Sequence, residues 1–313
     1  MTFQQKIDDL KGKIIKTLTP LITSDYFLLD LPYYSNIGDS LIWEGEEAFL
    51  STLPHKCLHR ASADTYRFKP IPARTTILMQ GGGNFGDIYP KHQNFRKDII
   101  KKYLSHPIVI FPVSVYYSDE SQIAKDANAF SKHKNLTICT RDRRSYDLLK
   151  KHFDNTILLL PDMAFCIDLN KLNKYADTPT KPVLFLKRND KELSSQHNNY
   201  KLSDHENIAL DIKDWPTKDR GNWIHKIINR PIHPKSPFKG FADFYAYHVY
   251  RKYLIKEGVK FLSDYEYIYT TRLHGAILSF LLHKPFTFFD NSYGKNKGFY
   301  DAWLSDVQEI KFD

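Results

Sequence analysis

The feature that most constrains this chain is a series of short apolar segments, each separated from the next by a stretch of helical periodicity. The segments are Tyr26–Leu31, Thr76–Gln80, Ile108–Val113, Leu136–Thr140 and Thr156–Leu160. They are rich in β-branched and aromatic residues and do not strictly alternate, as expected of strands buried on both faces of a parallel sheet. Helical patterns fall near residues 40–51, 93–105, 120–132 and 143–153. Strands alternating with helices predict an α/β fold.

The polar, proline-containing stretch 170–182 reads as a linker. A second series follows: strands at Val183–Lys187, Ile208–Ile212, Glu266–Thr271 and Phe286–Phe289, with helices near 241–257 and from 274. Two α/β domains with a cleft between them are expected, divided as residues 1–175 and 176–313. Residues 189–207 and 214–240 are polar or proline-rich and read as surface loops. At the start, Phe3, Ile7, Leu10, Ile14 and Leu18 recur at helical spacing with lysines between them. This amphipathic helix is expected to pack on the domain, with a membrane-surface role second.

Composition narrows the function classes. The three cysteines form no CxxC pair, so neither a disulfide scaffold nor a Cys-rich zinc module is expected, and a reducing compartment suits the chain. No apolar run approaches the roughly 18 residues that span a bilayer. The first residues carry acids and no apolar signal core, so a cytoplasmic protein is expected, free or peripheral at the inner face of the plasma membrane. The formal net charge of +9 favours anionic partners, or else is spread over solvated faces. No RNA-binding or zinc-finger pattern accompanies it, so nucleic acid is not an expected partner.

Four constellations carry chemistry. In Asn36-Ile37-Gly38-Asp39-Ser40 a strand ends and a helix begins, and free N–H groups there favour an anionic or polar ligand. Alternatively, Asp39 or Ser40 simply caps that helix. The stretch Gly81-Gly82-Gly83-Asn84-Phe85-Gly86-Asp87 formally contains G-x-G-x-x-G. Its context does not suit a dinucleotide, because Pro90 should interrupt the following helix and no acid ends the next strand. The glycines imply close backbone approach to a ligand or a loop, and Gly82, Gly83 and Asn84 are expected to line the site. Arg272-Leu273-His274-Gly275 places a guanidinium fork and a proton carrier at a strand end. Lys187-Arg188 ends another strand, on the same rim of a parallel sheet. His55-x-Cys57-x-His59 has metal-like spacing but no fourth ligand nearby, and reads as a polar edge strand.

The order N-x-G-D, GGGNFGD, Thr140-Arg141-Asp142, Leu160-Pro161-Asp162-Met163-Ala164-Phe165 and Arg272-Leu273-His274-Gly275 resembles the polysaccharide pyruvyl transferases, from about residue 33 to 290. The resemblance implies a GT-B-like pair of Rossmann-type domains with parallel sheets facing a central cleft. Residues 1–175 would form the acceptor side and 176–313 the donor side, and the last helix can pack back on the first domain. It implies transfer of pyruvate from phosphoenolpyruvate, as co-substrate, onto two hydroxyls of a sugar, giving a cyclic ketal. The acceptor would be a bacterial cell-surface polysaccharide or its lipid-linked precursor, and no cofactor or metal is implied. The family's Arg-Leu-His stretch falls on Arg272, Leu273 and His274 and its basic residue on Arg188; for the implied reaction His274 is expected to serve as acid and Asp39 as base. Arg272, Arg188, Lys187, Leu273, Gly275, Asn36, Gly38, Gly82, Gly83 and Asn84 are expected to bind substrate. Two guanidinium groups are expected to grip the donor from opposite lips of the groove.

Two other functions fit part of this pattern. A nucleotide-sugar glycosyltransferase on the same fold often carries a carboxylate after the glycine, where this chain has Ala276–His283 without one. A non-catalytic glycan-binding protein would not need the Arg272–His274 pair.

Overall fold

Short apolar strands need cover on both faces, and the chain supplies it. The computed structural model describes residues 1–188, 210–216, 239–291 and 294–313. Strands β1 (Tyr26–Leu29), β2 (Cys57–Ala61), β3 (Thr76–Met79), β4 (Gly82–Gly86), β5 (Ile108–Tyr116), β6 (Leu136–Thr140) and β7 (Thr156–Leu159) form one seven-stranded sheet. Its order is β2-β1-β3-β5-β6-β7, with β4 also paired to β5, and the pairings are parallel. Successive side chains point to opposite faces. Tyr26 and Leu28 therefore enter one core, and Phe27 and Leu29 another. Helices α1 (Phe3–Leu18) and α2 (Ile37–Leu50) cover the first face; α3 (Pro90–Lys102), α4 (Glu120–Phe130) and α5 (Arg143–His152) cover the second.

One local expectation changes. Pro90 does not interrupt a helix but begins one, at the position where its missing N–H has no helical partner to lose. Within the glycine-rich stretch, Gly82–Gly86 pair as strand β4. Strand β3 pairs with Ile108–Ile110 of β5, and β4 takes over from Val113 to Tyr116. The handover falls at Pro112, which has no N–H to give, and the β5–β6 register also shifts between Ile110 and Val113. Gly86 lies in the same crossing. It has φ of 113°, and a Cβ there would sit 1.8 Å from the Tyr116 carbonyl oxygen.

The second sheet contains β8 (Lys181–Leu186), β9 (Leu210–Lys213), β10 (Tyr265–Thr270), β11 (Phe286–Phe288) and β12 (Ile310–Phe312), all parallel, in the order β12-β11-β10-β8-β9. The described part of the expected strand at 208–212 is β9; the expected loop 189–207 and residues 217–238 of the expected loop 214–240 lie outside the described residues, while 239–240 begin a helix. Between the two sheets' strands run the short α6 (Leu169–Asn173), then α7 (Lys239–Tyr245), a π-helical turn at Ala246–Tyr250, α8 (Arg251–Ser263), α9 (Leu273–Leu281) and α10 (Lys295–Trp303).

One continuous core joins the sheets. It holds Leu28 and Phe111 from the first sheet, Leu184, Ile268 and Phe286 from the second, and the inner faces of α1, α2, α8 and α9. The amphipathic stripe of α1 is consumed by this packing: Ile7, Leu10, Ile14 and Leu18 are all buried. A Thr2–Gln5 capping box fixes its start. Helix α10 lies against α5, and the Trp303 indole donates to the Arg141 carbonyl at 2.7 Å. Among the described residues, no helix is long and apolar enough to cross a membrane.

Candidate functional site

Parallel strands release their chain at one rim, and ligands of α/β sheets collect there. Here the turns after β1, β6, β8 and β10 surround a cavity of about 350 Å³. Asn36, Gly38 and Asp39 reach it from the start of α2, Gly83 and Asn84 from β4, and Arg188, Arg272, Leu273 and His274 from the second sheet.

The first turn of α2 settles the capping question. The Asn36 side chain accepts from the Asp39 N–H at 3.1 Å, so Asn36 is the cap. The Asp39 carboxylate is left to the cavity, where it accepts from the Tyr34 hydroxyl at 2.8 Å. Burial, reinforced by Asp39, pushes the Tyr34 hydroxyl well above its usual range and keeps it a donor. Further along α2, the buried Glu46 carboxyl is pushed up by burial, and it accepts from the Gly81 N–H at 2.9 Å, tying the helix to the start of β4.

Gly38 touches the opposite turn. A Cβ at Gly38 would lie 2.4 Å from His274 Nδ1, so only glycine lets the α2 and α9 starts approach this closely. On its other side, His274 Nε2 is 3.4 Å from Asp162 Oδ2 and 3.4 Å from Arg141 Nη1. Asp162 is fully buried; it accepts from Arg141 Nη1 at 2.6 Å and from the Ala164 N–H at 2.9 Å. Burial raises its carboxyl, but His274 and Arg141 outweigh burial and hold it well below the usual carboxylate range. Arg141 is fixed further by donating Nε to Ser114 Oγ at 2.9 Å.

Strands β8 and β10 are neighbours, with Leu186 opposite Thr270. Arg188 and Arg272 therefore stand on one lip and not on opposite lips. The guanidinium contributed from the first sheet is Arg141, and Lys295 at the start of α10 adds a fourth cation to the wall. Arg272 donates Nε and Nη2 to the two Asp214 carboxylate oxygens at 2.5 and 2.6 Å. Arg188 is held at its backbone by the Thr271 hydroxyl, 3.1 Å away. On the first-sheet side, His92 also faces the cavity, its Nδ1 2.7 Å from Oδ1 of the buried Asp30. Arg96 reaches both Asp30, at 3.1 Å, and the Asn84 carbonyl, at 2.9 Å.

Three expected residues do not line the cavity. Lys187 is half-buried, and its N–H donates to the Lys213 carbonyl as the sheet pairing continues past β8. Gly275 makes room for Thr270 and Leu186, which a Cβ would meet at 2.4 and 2.6 Å. Gly82 is buried one layer back, beside Asp39. Conversely, Tyr34, Tyr89, His92, Arg141, Trp215 and Lys295 line it without having been assigned to it, with Asp162 behind. For Arg141 and Asp162 a signal existed: each follows a strand within a motif that contributed to the resemblance. The spacing of His92 and Lys295 carries no such mark. His55-x-Cys57-x-His59 does fall at edge strand β2. Burial, with Lys69 nearby, lowers the pKa of His59 to about 4. Among the described residues, no three His, Cys, Asp or Glu cluster as metal ligands would.

The model of the family described as polysaccharide pyruvyl transferase matches residues 36–293, which include all the cavity-lining residues except Tyr34 and Lys295 at the two ends. The chain belongs to the polysaccharide pyruvyl transferase family. Membership makes it a transferase by family, with a polysaccharide acceptor implied. Among its relatives, EpsO of Bacillus subtilis (strain 168), provisionally named a pyruvyl transferase, is 34% identical over 99% of this chain and 93% of its own length. Pyruvyl transferase 1 of Schizosaccharomyces pombe is 29% identical over 88% of this chain and 69% of its own length. A solved structure of an uncharacterized protein from Klebsiella pneumoniae shares the fold, with a TM-score of 0.67, 21% identity, and coverage of 97% of this chain and 98% of that one.

Proposed function

We propose that this family member transfers pyruvate from phosphoenolpyruvate to two hydroxyls of a sugar, forming a cyclic ketal and releasing phosphate. The acceptor would belong to a bacterial cell-surface polysaccharide or its lipid-linked precursor. The observation that carries this reading is the convergence of Arg141, Arg188, Arg272 and Lys295 on one cavity of about 350 Å³. A small donor with a carboxylate and a phosphate needs cations at both ends, and guanidinium forks suit both groups. We propose a GT-B-like arrangement, with residues 1–175 on the acceptor side and 176–313 on the donor side.

The residues divide the chemistry as follows. One acceptor hydroxyl adds to the central carbon of the donor while the methylene carbon takes a proton from the His274 imidazole. Asp39, hydrogen-bonded to Tyr34, takes the hydroxyl proton. The phosphate leaves with the C–O bonding pair, and the second hydroxyl closes onto the resulting oxocarbenium-like carbon, losing its proton. Arg141 and Asp162 hold His274 in place, and general acid–base steps of this kind contribute about 10²–10⁴-fold each.

Titration calorimetry with phosphoenolpyruvate against a panel of nucleotide sugars tests the donor. Heat with phosphoenolpyruvate alone, abolished by Arg272→Ala, is expected. Selective binding of a nucleotide sugar would replace this reading with that of a glycosyltransferase.

A further inference from the structure

Helix α2 borders a second cavity, of about 590 Å³, that shares no residue with the first. Its walls include Glu44 of α2, Lys171 and Lys174 at α6, Tyr247 of the π turn, and Arg251 and Lys252 of α8. We propose that this face docks on an anionic phospholipid surface, with a headgroup phosphate seated in the cavity.

Charge gives the first argument. Four cations line the cavity against one carboxylate, and Glu44 is already paired with Lys171 at 3.1 Å and Arg251 at 3.2 Å. Arg251 is 5% exposed, its guanidinium 4.7 Å from the Trp43 ring and 4.6 Å from the Tyr247 ring. Its Nε and Nη1 are buried without a hydrogen-bond partner, although in ion-pair range of Glu44 and Glu47. A buried guanidinium with unused donors at a basic cavity favours an oxyanion.

The neighbouring surface supplies the second argument. Along α7, the π turn and α8, Phe241, Phe244, Val249 and Tyr253 are exposed, the two phenylalanines by more than half. Lys252, Lys256 and Lys260 are exposed along the same helix. The π turn spaces Tyr245 and Tyr250 five residues apart yet stacks their rings at 6.3 Å, and such turns occur often at functional sites. Exposed aromatics beside lysines are the composition of a helix that lies in a membrane interface.

The occupant follows from both features together. A free phosphorylated ligand would use the cations and leave the aromatic stripe in water. A second copy of this chain, with net charge +9, would bring like charge to a basic face. An anionic bilayer matches both: headgroup phosphates for the cations, and the acyl boundary for the aromatic rings. The amino-terminal helix cannot supply this contact, because its apolar face is already in the core.

Co-sedimentation of the full chain with vesicles tests the proposal without reference to catalysis. Binding to phosphatidylglycerol mixed into phosphatidylcholine, and not to phosphatidylcholine alone, is expected. Lys174→Glu with Lys252→Glu should weaken it by about tenfold or more, since each surface cation contributes several-fold. Phe241→Ser with Phe244→Ser should also release the protein, and both variants should keep the wild-type melting temperature because all four residues are exposed. Equal binding to neutral vesicles, or undiminished binding of the charge-reversed variant, would overturn the proposal. So would inorganic phosphate binding at the cavity with no vesicle binding, or a dimer dispersed by the phenylalanine substitutions in the absence of lipid binding.

Discussion

His274 Nε2 stands 3.4 Å from Oδ2 of Asp162, a carboxylate with no exposed surface. The histidine comes from the second sheet's rim and the aspartate from the segment just after the first sheet, so this pair ties the two rims across the cavity. Asp162 also accepts from Arg141 and from the Ala164 N–H, so its position is fixed before any substrate arrives.

Removing the Asp162 charge should affect stability with a definite sign. Its carboxyl is held below the usual range in the folded chain, so it contributes stability that is present above the unfolded value of about 3.9. That contribution is lost as pH falls from there through the lower folded value. Asp162→Asn should therefore be less stable than wild type at neutral pH, by about 3–5 kcal/mol for a broken buried pair. The gap should narrow in acid. Urea titrations at neutral pH and below pH ~4 check this; a gap constant with pH would mean that the carboxylate charge is not the cause.

His274→Ala should lower kcat by about 10²–10⁴-fold, the range of a lost general acid. Donor affinity should change far less, because the guanidinium groups remain. A single-turnover assay beside a donor titration separates the two. A wild-type rate would exclude the imidazole from the chemistry.

Gly38→Ala tests position without touching a functional group. The new methyl would meet His274 Nδ1 at 2.4 Å, and the imidazole must move. A displacement of about 1 Å at a reacting group can cost about 10²-fold in rate. Helix propensity favours alanine over glycine by up to ~1 kcal/mol, so the fold should survive. Loss of activity with an unchanged circular dichroism melt is expected; full activity would show that His274 has room to adjust.

Asp214 occupies the fork of Arg272, one of the guanidinium groups proposed to hold the donor. Asp214→Asn weakens that competitor, and the donor KM should fall by a few-fold up to about tenfold, the worth of one charged hydrogen bond. Steady-state kinetics across donor concentrations decide it. A raised KM would mean that Asp214 orients Arg272 for the donor instead of competing with it.

Periodicity made most of the first sheet legible, because β1, β3, β5 and β6 are apolar runs buried on both faces and β7 is a partly exposed apolar run at the sheet's edge. Strand β4 was hidden: three glycines resemble a turn, and only the handover at Pro112 explains why they pair as a strand. Strand β2 is half-exposed at the sheet edge and lacks an apolar run. In the site, Asp39, Arg188, Arg272 and His274 could be read from strand-end position. Arg141 needed the fold to reveal that its strand end faces theirs. His92 depends on Asp30, a residue 62 positions away, and no local spacing encodes that contact.

The central claim is the reaction itself. Incubating the protein with phosphoenolpyruvate and cell-surface glycan fragments, followed by mass spectrometry, tests it most directly. The account predicts an acceptor heavier by one pyruvate less one water, with one phosphate released per ketal, and neither product with Arg272→Ala. A glycan unchanged in mass across the acceptor panel, while a nucleotide sugar is consumed, would contradict it.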